Sequence, residues 1–209
     1  MNITLPSMLL INGQIGSGKS HFIRYLFSIY KNKLKYGIVF SHTCFNEGNF
    51  DYIPEKYIYS EYNGEVLHNL MKIQEQQPKN QRHLAFVVFD DCLFDSYNKC
   101  KYFNRLSVEL RHYNILLIIS TQYAHKLPPT LREQAYQVII FNAFSKRNIN
   151  ALFESYGQNF NCYNDFKEYI LGNTGEYKFI YHDRKEKDKD KQYQIMRCPK
   201  NFKKFKLAY

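Results

Sequence analysis

The residues with the clearest chemistry lie near the amino terminus, where positions 13–20 read Gly-Gln-Ile-Gly-Ser-Gly-Lys-Ser. This stretch fits the pattern G-x-x-x-x-G-K-[ST], in which the backbone N–H groups of a glycine-rich loop surround phosphate oxygens. Glycine adopts positive φ angles at little cost, and a helix that begins at the loop adds partial positive charge. The sequence therefore predicts a phosphate-binding loop. Its expected contacts to the nucleotide come from Gly13, Gln14, Ile15, Gly16, Ser17, Gly18, Lys19, Ser20 and His21.

Two side chains of this loop have separate expected roles. The Lys19 ammonium can reach the β- and γ-phosphates of ATP, and the Ser20 hydroxyl can bind Mg²⁺. The flanks favour this interpretation, because Met8–Asn12 is an apolar run of strand length and residues 21–30 carry apolar side chains at helical spacing. A strand, a loop and a helix in this order are the context that the site needs. ATP and Mg²⁺ are therefore the expected ligands, with Lys19 as a catalytic residue.

A pair of carboxylates follows the apolar run at 84–89, which has the length and composition of a central strand covered on both faces. A carboxylate at the end of such a strand can organise Mg²⁺ beside a phosphate loop, usually through the water shell of the ion. We assign this metal-side role to Asp90. Adjacent residues of a strand point in opposite directions, so we expect Asp91 to orient or deprotonate the attacking water instead.

Polar residues also follow the next buried run, at 115–119. The amide of Gln122 carries a donor and an acceptor, so it can sense the γ-phosphate and position the attacking water. Arg111 precedes the same run at its other end. A planar guanidinium suits a transferring phosphoryl group, and at that end it can face the nucleotide of a neighbouring subunit. Arg105 and Arg147 remain alternatives for this role.

Strand-like and helix-like segments alternate along the chain, which predicts an α/β fold with a mainly parallel central sheet and helices on both faces. The last part favours a C-terminal β-hairpin, with strands at 177–182 and 192–196 joined across the charged run 183–191. A chain of 209 residues is long enough for one such domain with a full core. Further strands are predicted at 36–41 and 137–142, and the stretch from the first of these to residue 62 is polar and rich in turns. Helices are predicted at 64–76, 98–112, 128–135, 145–156 and 164–171.

The formal net charge of the chain is +10, and most of it lies at the C-terminal end. Residues 178–209 hold eleven Lys or Arg against four Asp or Glu, whereas the remainder is close to neutral. A basic segment of this kind favours a polyanionic partner, with nucleic acid as the first candidate. A solvated tail that aids solubility is the alternative. An anionic membrane surface is less favoured, because the segment shows no clear amphipathic stripe.

The five cysteines are odd in number, and no two are spaced as C-x-x-C. This pattern favours free thiols in a reducing compartment and disfavours a zinc site. The amino terminus lacks the charged-then-apolar pattern of a signal peptide, and no apolar stretch reaches the ~18 residues of a spanning helix. We therefore expect an intracellular chain without membrane insertion. The cysteines are Cys44, Cys92, Cys100, Cys162 and Cys198.

Taken together, these residues resemble the A32-like genome-packaging ATPases of large DNA viruses and virophages, in the FtsK–HerA branch of P-loop NTPases. The resemblance spans about residues 8–145. It implies a RecA-like core with an additional strand, a homo-oligomeric ring (a pentamer or hexamer), and ATP-driven movement of double-stranded DNA into a preformed capsid. It also implies an arginine that acts in trans, which falls on Arg111. The motifs that carry it are the loop at 13–20, Phe89-Asp90-Asp91, Arg111-His112 and Ser120-Thr121-Gln122.

The expected function is therefore an ATP-driven translocase that packages viral double-stranded DNA. The resemblance implies capsid or portal vertex proteins as partners and the host cytoplasm, a viral factory or the virion as location. Two other classes stay open on the residues. One is a P-loop nucleoside or nucleotide kinase, although no arginine-rich lid motif is evident. The other is a nucleotide-switched protein that binds nucleic acid or capsid, against which the intact Lys19, Ser20 and Asp90 argue.

Overall fold

The protein is described by a computed structural model that covers residues 3–43, 49–92, 100–143 and 145–207. The strands within these ranges are β1 (Met8–Asn12), β2 (Leu34–Ser41), β3 (Ile58–Tyr59), β4 (Leu84–Asp90), β5 (Ile115–Thr121), β6 (Gln137–Ile140), β7 (Lys178–Asp183) and β8 (Tyr193–Arg197). The helices are α1 (Lys19–Tyr30), α2 (Gly64–Gln76), α3 (Lys101–Glu109), α4 (Pro129–Gln134), α5 (Lys146–Tyr156) and α6 (Tyr163–Asn173). Short 3₁₀ turns occupy Glu55–Tyr57, Ala124–Lys126 and Lys189–Lys191.

The strands form one mostly parallel sheet in the order β3-β2-β4-β5-β1-β6-β7-β8. Strand β1 pairs in parallel with β6, and β2 pairs in parallel with β3 and β4. The pairs β6–β7 and β7–β8 are antiparallel. The predicted α/β class and the predicted C-terminal hairpin are therefore confirmed.

The central strands are buried along almost their whole length. Strands β1 and β6 are buried at every position, and β4 and β5 at all but one. Because successive side chains of a strand point to opposite faces, such strands must be covered on both sides. This explains why the corresponding stretches of sequence are continuous apolar runs.

The chain divides into two compact units. The first comprises Met1–Met8, Ser20–Ile119 and Phe202–Tyr209, and the second comprises Leu9–Lys19 and Ser120–Asn201. In the first unit, the Phe27 ring packs edge-on against Phe86 with centroids 4.7 Å apart. In the second, Phe160 contacts Phe166 at 5.1 Å in the same edge-on geometry. The expected single domain stays a prediction.

Three predicted segments differ from the structure. The helix expected at 98–112 is helical over Lys101–Glu109, and residues 98–99 lie outside the described ranges. After the helix the chain turns over residues 110–114, with a left-handed φ of 52° at Asn114, and enters β5. The strand expected at 137–142 ends at Ile140. The Phe141 N–H still bonds to the last residue of β1, Asn12, and the Asn142 carbonyl accepts from Gln14 of the phosphate loop. The expected turn-rich stretch before residue 62 includes the two-residue strand β3.

Cys92, Cys162 and Cys198 carry free thiols, as expected, whereas Cys44 lies outside the described ranges. Within those ranges, no helix is both long and apolar enough to cross a membrane.

Candidate nucleotide-binding site

The phosphate loop of the second unit is closed around its own lysine. The Lys19 side chain is buried, and its Nζ donates hydrogen bonds to the carbonyl oxygens of Gly13 at 2.8 Å and Gln14 at 3.3 Å. The backbone N–H of Ser17 donates to the Gln14 carbonyl at 3.2 Å, which makes the loop a tight turn. The ammonium group therefore lies against the loop backbone, and the exposed Ile15 at its tip is 78% accessible.

The glycines of the loop are required by its geometry. A Cβ atom on Gly13 would lie 2.5 Å from Ser17 Oγ and 2.6 Å from Phe141 Cβ, which is closer than such atoms approach in proteins. Gly16 and Gly18 have φ angles of 73° and 101°. These angles lie in the left-handed region that other residues enter at a cost of about 1 kcal/mol or more. Gly13 is thus required by a close contact, and Gly16 and Gly18 are required by their backbone conformation.

The ends of two strands hold the loop in place. The Gly13 N–H donates to the Thr121 carbonyl at the end of β5, at 3.2 Å. The Gln14 N–H donates to the Asn142 carbonyl just after β6, at 3.1 Å. The Phe141 N–H donates to the Asn12 carbonyl at 2.7 Å and extends the β1–β6 ladder to the loop. The structure therefore brings the loop and the Thr121–Gln122 strand end together, as the sequence analysis expects.

Two buried asparagines, which the sequence analysis missed, support this arrangement. Asn148 on α5 donates from Nδ2 to Asn12 Oδ1 at 3.0 Å and to the Gln122 carbonyl at 3.1 Å. Its Oδ1 accepts from the Ala124 N–H at 2.6 Å. Asn12 in turn donates to the Thr121 carbonyl at 3.2 Å. The backbone on both sides of Gln122 is thus fixed by side-chain amides, and Asn12 is recognisable only as a polar residue that ends an apolar strand.

A buried arginine, also missed, holds the segment that follows Gln122. Arg132 on α4 is 4% exposed. Its guanidinium donates to the carbonyls of Ala124 at 3.2 Å and Leu127 at 2.5 Å, and to Ser155 Oγ at 2.8 Å. Its own carbonyl accepts from the Tyr156 hydroxyl at 2.6 Å. Since a buried guanidinium needs several acceptors, Arg132 and this segment stabilise each other.

The two carboxylates lie in the first unit and differ in burial. Asp90 ends β4, is 3% exposed, and has its Oδ2 3.4 Å from the Ser41 hydroxyl. Asp91 is half-buried and lies beyond the strand, with a left-handed φ of 49°. The expectation that the two residues point apart as strand neighbours is therefore wrong in its reason, because Asp91 has left the strand conformation. Asp and Asn tolerate this conformation better than most residues.

The thiol next to this pair is structural. Cys92 is buried, and its Sγ lies 3.0 Å from the Phe40 carbonyl, to which it donates. Burial, followed by the nearby charge of Asp90, raises the pKa of the Cys92 thiol well above its ordinary value. The neutral thiol is therefore the stable form, and Cys92 lacks the thiolate character of a nucleophile.

The candidate arginines differ in their surroundings. Arg111 is exposed in the turn between α3 and β5. Arg105 is tied to Glu109 and Glu75, both at 3.0 Å, which suits a surface charge that stabilises α3. Arg147 is exposed in the first turn of α5. The trans role of Arg111 stays a prediction, as do the roles of Ser20, His21, Asp90, Asp91 and Gln122.

The fold and the loop together define a P-loop NTPase. A strand of a mostly parallel sheet leads into a glycine-rich loop with a buried lysine, and a helix follows. More particularly, the chain belongs to the family described as Poxvirus A32 protein, the A32 packaging ATPases, which it matches over residues 3–161. The resemblance seen in the sequence is thereby confirmed.

Viral relatives match most of the chain. Uncharacterized protein 075L of Invertebrate iridescent virus 6 is 29% identical over 195 residues, which cover 90% of this chain and 74% of the relative. Uncharacterized protein L437 of Acanthamoeba polyphaga mimivirus is 25% identical over 198 residues, which cover 88% and 69%.

Solved structures share the fold. The genome packaging NTPase B204 of Sulfolobus turreted icosahedral virus 2, in complex with ATP-gammaS, superposes with a TM-score of 0.66 at 17% identity, covering 94% of this chain and 99% of B204. The pCW3 conjugation coupling protein TcpA, bound to ATPgS, has a TM-score of 0.58 at 14% identity, covering 91% of this chain and 59% of TcpA. At these identities the likeness concerns the fold.

Proposed function

We propose that this chain is a Mg²⁺-dependent ATPase that assembles into a homo-oligomeric ring, a pentamer or hexamer, and drives double-stranded viral DNA into a preformed capsid. The observation that carries the proposal is the phosphate loop, with three glycines required by its geometry and a buried Lys19 hydrogen-bonded to two loop carbonyls. Membership of the A32 packaging ATPases supports the coupling to DNA packaging. B204, which shares the fold, is a genome packaging NTPase that has been seen with ATP-gammaS.

Lys19 and the loop backbone have the central role in nucleotide binding. The loop N–H groups and the first turn of α1 offer donors and partial positive charge to phosphate oxygens. Lys19 exchanges its two carbonyl acceptors for phosphate oxygens and supplies a full positive charge where negative charge develops during transfer. Bound Mg²⁺ would supply further positive charge on those oxygens. Ser20 would offer a hydroxyl to the ion, and the buried Asp90 would offer a carboxylate to its water shell.

Water activation falls to Asp91 and Gln122. The half-buried Asp91 carboxylate accepts a hydrogen bond from the attacking water and can take its proton. The Gln122 amide orients that water and senses the γ-phosphate. Its backbone is held by Asn148, so its position depends little on loop motion. Arg111 of a neighbouring subunit donates to the transferring phosphoryl group, which makes turnover depend on the assembled ring.

The location and partners follow from the same proposal. A packaging motor works where capsids are filled, in the host cytoplasm or a viral factory, and is carried into the virion if it stays at the vertex. Capsid or portal vertex proteins are then its second class of partner, besides double-stranded DNA.

The first experiment compares Lys19→Ala with Lys31→Ala, which changes an exposed lysine in the turn after α1. We expect Lys19→Ala to reduce ATP hydrolysis by about 100-fold or more and to weaken ATP binding sharply, because it removes the mobile charge of the loop. Lys31→Ala should behave as wild type. Wild-type turnover in Lys19→Ala would contradict the nucleotide-site assignment.

A further inference from the structure

The last described residues, 202–207, form a segment that we call the C-terminal strap. Its first anchor is Phe202, whose ring centroid lies 5.2 Å from that of His21 and 5.6 Å from that of Tyr25. Both partners belong to α1, and His21 directly follows Ser20 of the phosphate-loop motif. The strap and α1 lie in the same compact unit, so this contact belongs to the packing of that unit.

The other end of the strap is held at Tyr52. The Phe205 ring lies 5.0 Å from the Tyr52 ring, and the Leu207 N–H donates to the Tyr52 carbonyl at 2.8 Å. Leu207 is 5% exposed, and Tyr52 is 1% exposed and contacts Phe27 of α1 at 5.5 Å. The apolar residues of the strap therefore fix it to the unit.

The remaining side chains of the strap are three exposed lysines, Lys203, Lys204 and Lys206. Residues 197–209 contain five Lys or Arg and no Asp or Glu, whereas the hairpin turn at 183–191 contains five Lys or Arg and four Asp or Glu. The excess positive charge of the C-terminal part thus lies in and next to the strap. The acidic residue beside Tyr52, Asp51, is paired with Arg24 at 2.8 Å.

These lysines suit the backbone of a nucleic acid. Lysine is a compact, strongly charged donor for phosphate oxygens, and such contacts require no base sequence. Lys203 to Lys206 span at most about 10 Å, which is about three base-pair steps of a duplex. Because the anchors already order the backbone between them, binding loses less conformational entropy than it would for a free tail.

We propose that the C-terminal strap binds the phosphate backbone of double-stranded DNA through Lys203, Lys204 and Lys206, and that its Phe202 anchor links this binding to the phosphate loop through His21. The inference rests on the proposed packaging function and adds the residues that contact DNA. Binding linkage is reciprocal, so a DNA contact that favours the nucleotide-bound loop must itself tighten when nucleotide binds.

The test measures binding of a fluorescently labelled DNA duplex of arbitrary sequence at several salt concentrations, with and without ATP-gammaS. We expect Lys203→Ala/Lys204→Ala/Lys206→Ala to flatten the slope of log K against log salt by about 2.7, since each phosphate contact contributes about 0.9. Between about 50 and 200 mM salt the wild type should therefore lose roughly 40-fold more affinity than the variant. Basal ATP hydrolysis should stay at the wild-type rate.

The matched control removes the same charge from the hairpin turn, in Lys185→Ala/Lys187→Ala/Lys189→Ala. These lysines are exposed and lie among acidic residues, so we expect the wild-type slope. Equal salt slopes in the wild type and the strap variant would overturn the inference. Equal reductions of the slope in the strap and control variants would also overturn it, because they would show that net charge alone determines DNA binding. If the wild type binds no DNA, the proposed function fails as well; if it binds DNA and the strap variant binds equally, only the strap inference fails.

The link to the loop has its own variant, Phe202→Ala, with Phe202→Leu as the conservative replacement. We expect Phe202→Ala to keep basal hydrolysis and to lose the tightening of DNA binding by ATP-gammaS, and Phe202→Leu to recover part of it. Circular dichroism and thermal melting verify that both variants are folded. Full tightening by ATP-gammaS in a folded Phe202→Ala protein would overturn the proposed link.

Discussion

Replacement of Asn148 by Asp tests whether the buried amide network positions the end of β5. The two side chains have nearly the same shape, but Asp has no donor where Asn148 Nδ2 now bonds to Asn12 Oδ1 at 3.0 Å and to the Gln122 carbonyl at 3.1 Å. Two hydrogen bonds are lost, each worth about 1 kcal/mol, and a carboxylate oxygen is placed against two carbonyl-type oxygens. We expect the free energy of unfolding to fall by about 2–4 kcal/mol.

The same variant should affect turnover more than nucleotide binding. Lys19 and the loop glycines are unchanged, so ATP should still bind, whereas displacement of Gln122 should lower kcat by about 10- to 100-fold. Urea denaturation and steady-state hydrolysis measure the two effects. Protonation of the introduced carboxyl restores one donor, so the loss of stability should shrink as the pH is lowered.

Asn150→Asp on the same helix is the control. Asn150 is exposed and donates to Glu154 Oε1 at 2.9 Å, so its replacement should change stability by no more than about 0.5 kcal/mol. If Asn148→Asp resembles Asn150→Asp in both stability and kcat, the asparagines do not position the strand end and this reasoning is refuted.

Three other predictions concern the carboxylates, the trans arginine and a buried histidine. Asp91→Asn keeps a residue that tolerates a φ of 49° and should bind MgATP without turnover, whereas Asp90→Asn should also weaken the Mg²⁺ dependence of ATP binding. An equal loss of Mg²⁺ binding in titrations of both variants would reject the division of roles. Arg111→Ala should bind ATP without turnover, and mixing it with Lys19→Ala should restore some hydrolysis if rings exchange subunits. If every mixture that exchanges subunits shows only the activity of the two separate variants, Arg111 does not act in trans. Burial lowers the pKa of His182 from 6.5 to about 4, so the unfolded chain takes up a proton first and stability falls as the pH drops through that window. In urea denaturation at about pH 7 and pH 4.5, His182→Phe should remove about 2 kcal/mol of this fall in stability, and an unchanged pH dependence would count against this assignment.

The site was predictable where its residues are close in sequence. The loop, its flanking strand and its helix follow from one short pattern, because glycines, a lysine and apolar periodicity are local signals. The strand ends at Asp90 and Thr121 were predictable for a similar reason, since fully buried strands are continuous apolar runs that polar residues terminate.

The supporting residues were not predictable, because their partners are distant in sequence. Asn148 and Asn12 are separated by 136 positions, and Arg132 resembles any arginine of a short amphipathic helix until its acceptors are located. The two-residue strand β3 is too short for a period-2 pattern. The basic C-terminal segment and its hairpin were predictable, but the anchored strap depends on contacts of Phe202 and Leu207 with residues far earlier in the chain.

Movement along DNA, as distinct from binding, is measured by the displacement of a labelled third strand from a DNA duplex. We expect the wild-type protein with MgATP to release the third strand, and Asp91→Asn, which should bind MgATP without turnover, to leave it in place. Hydrolysis stimulated by the duplex but without release in the wild type would contradict translocation, and so would release by Asp91→Asn.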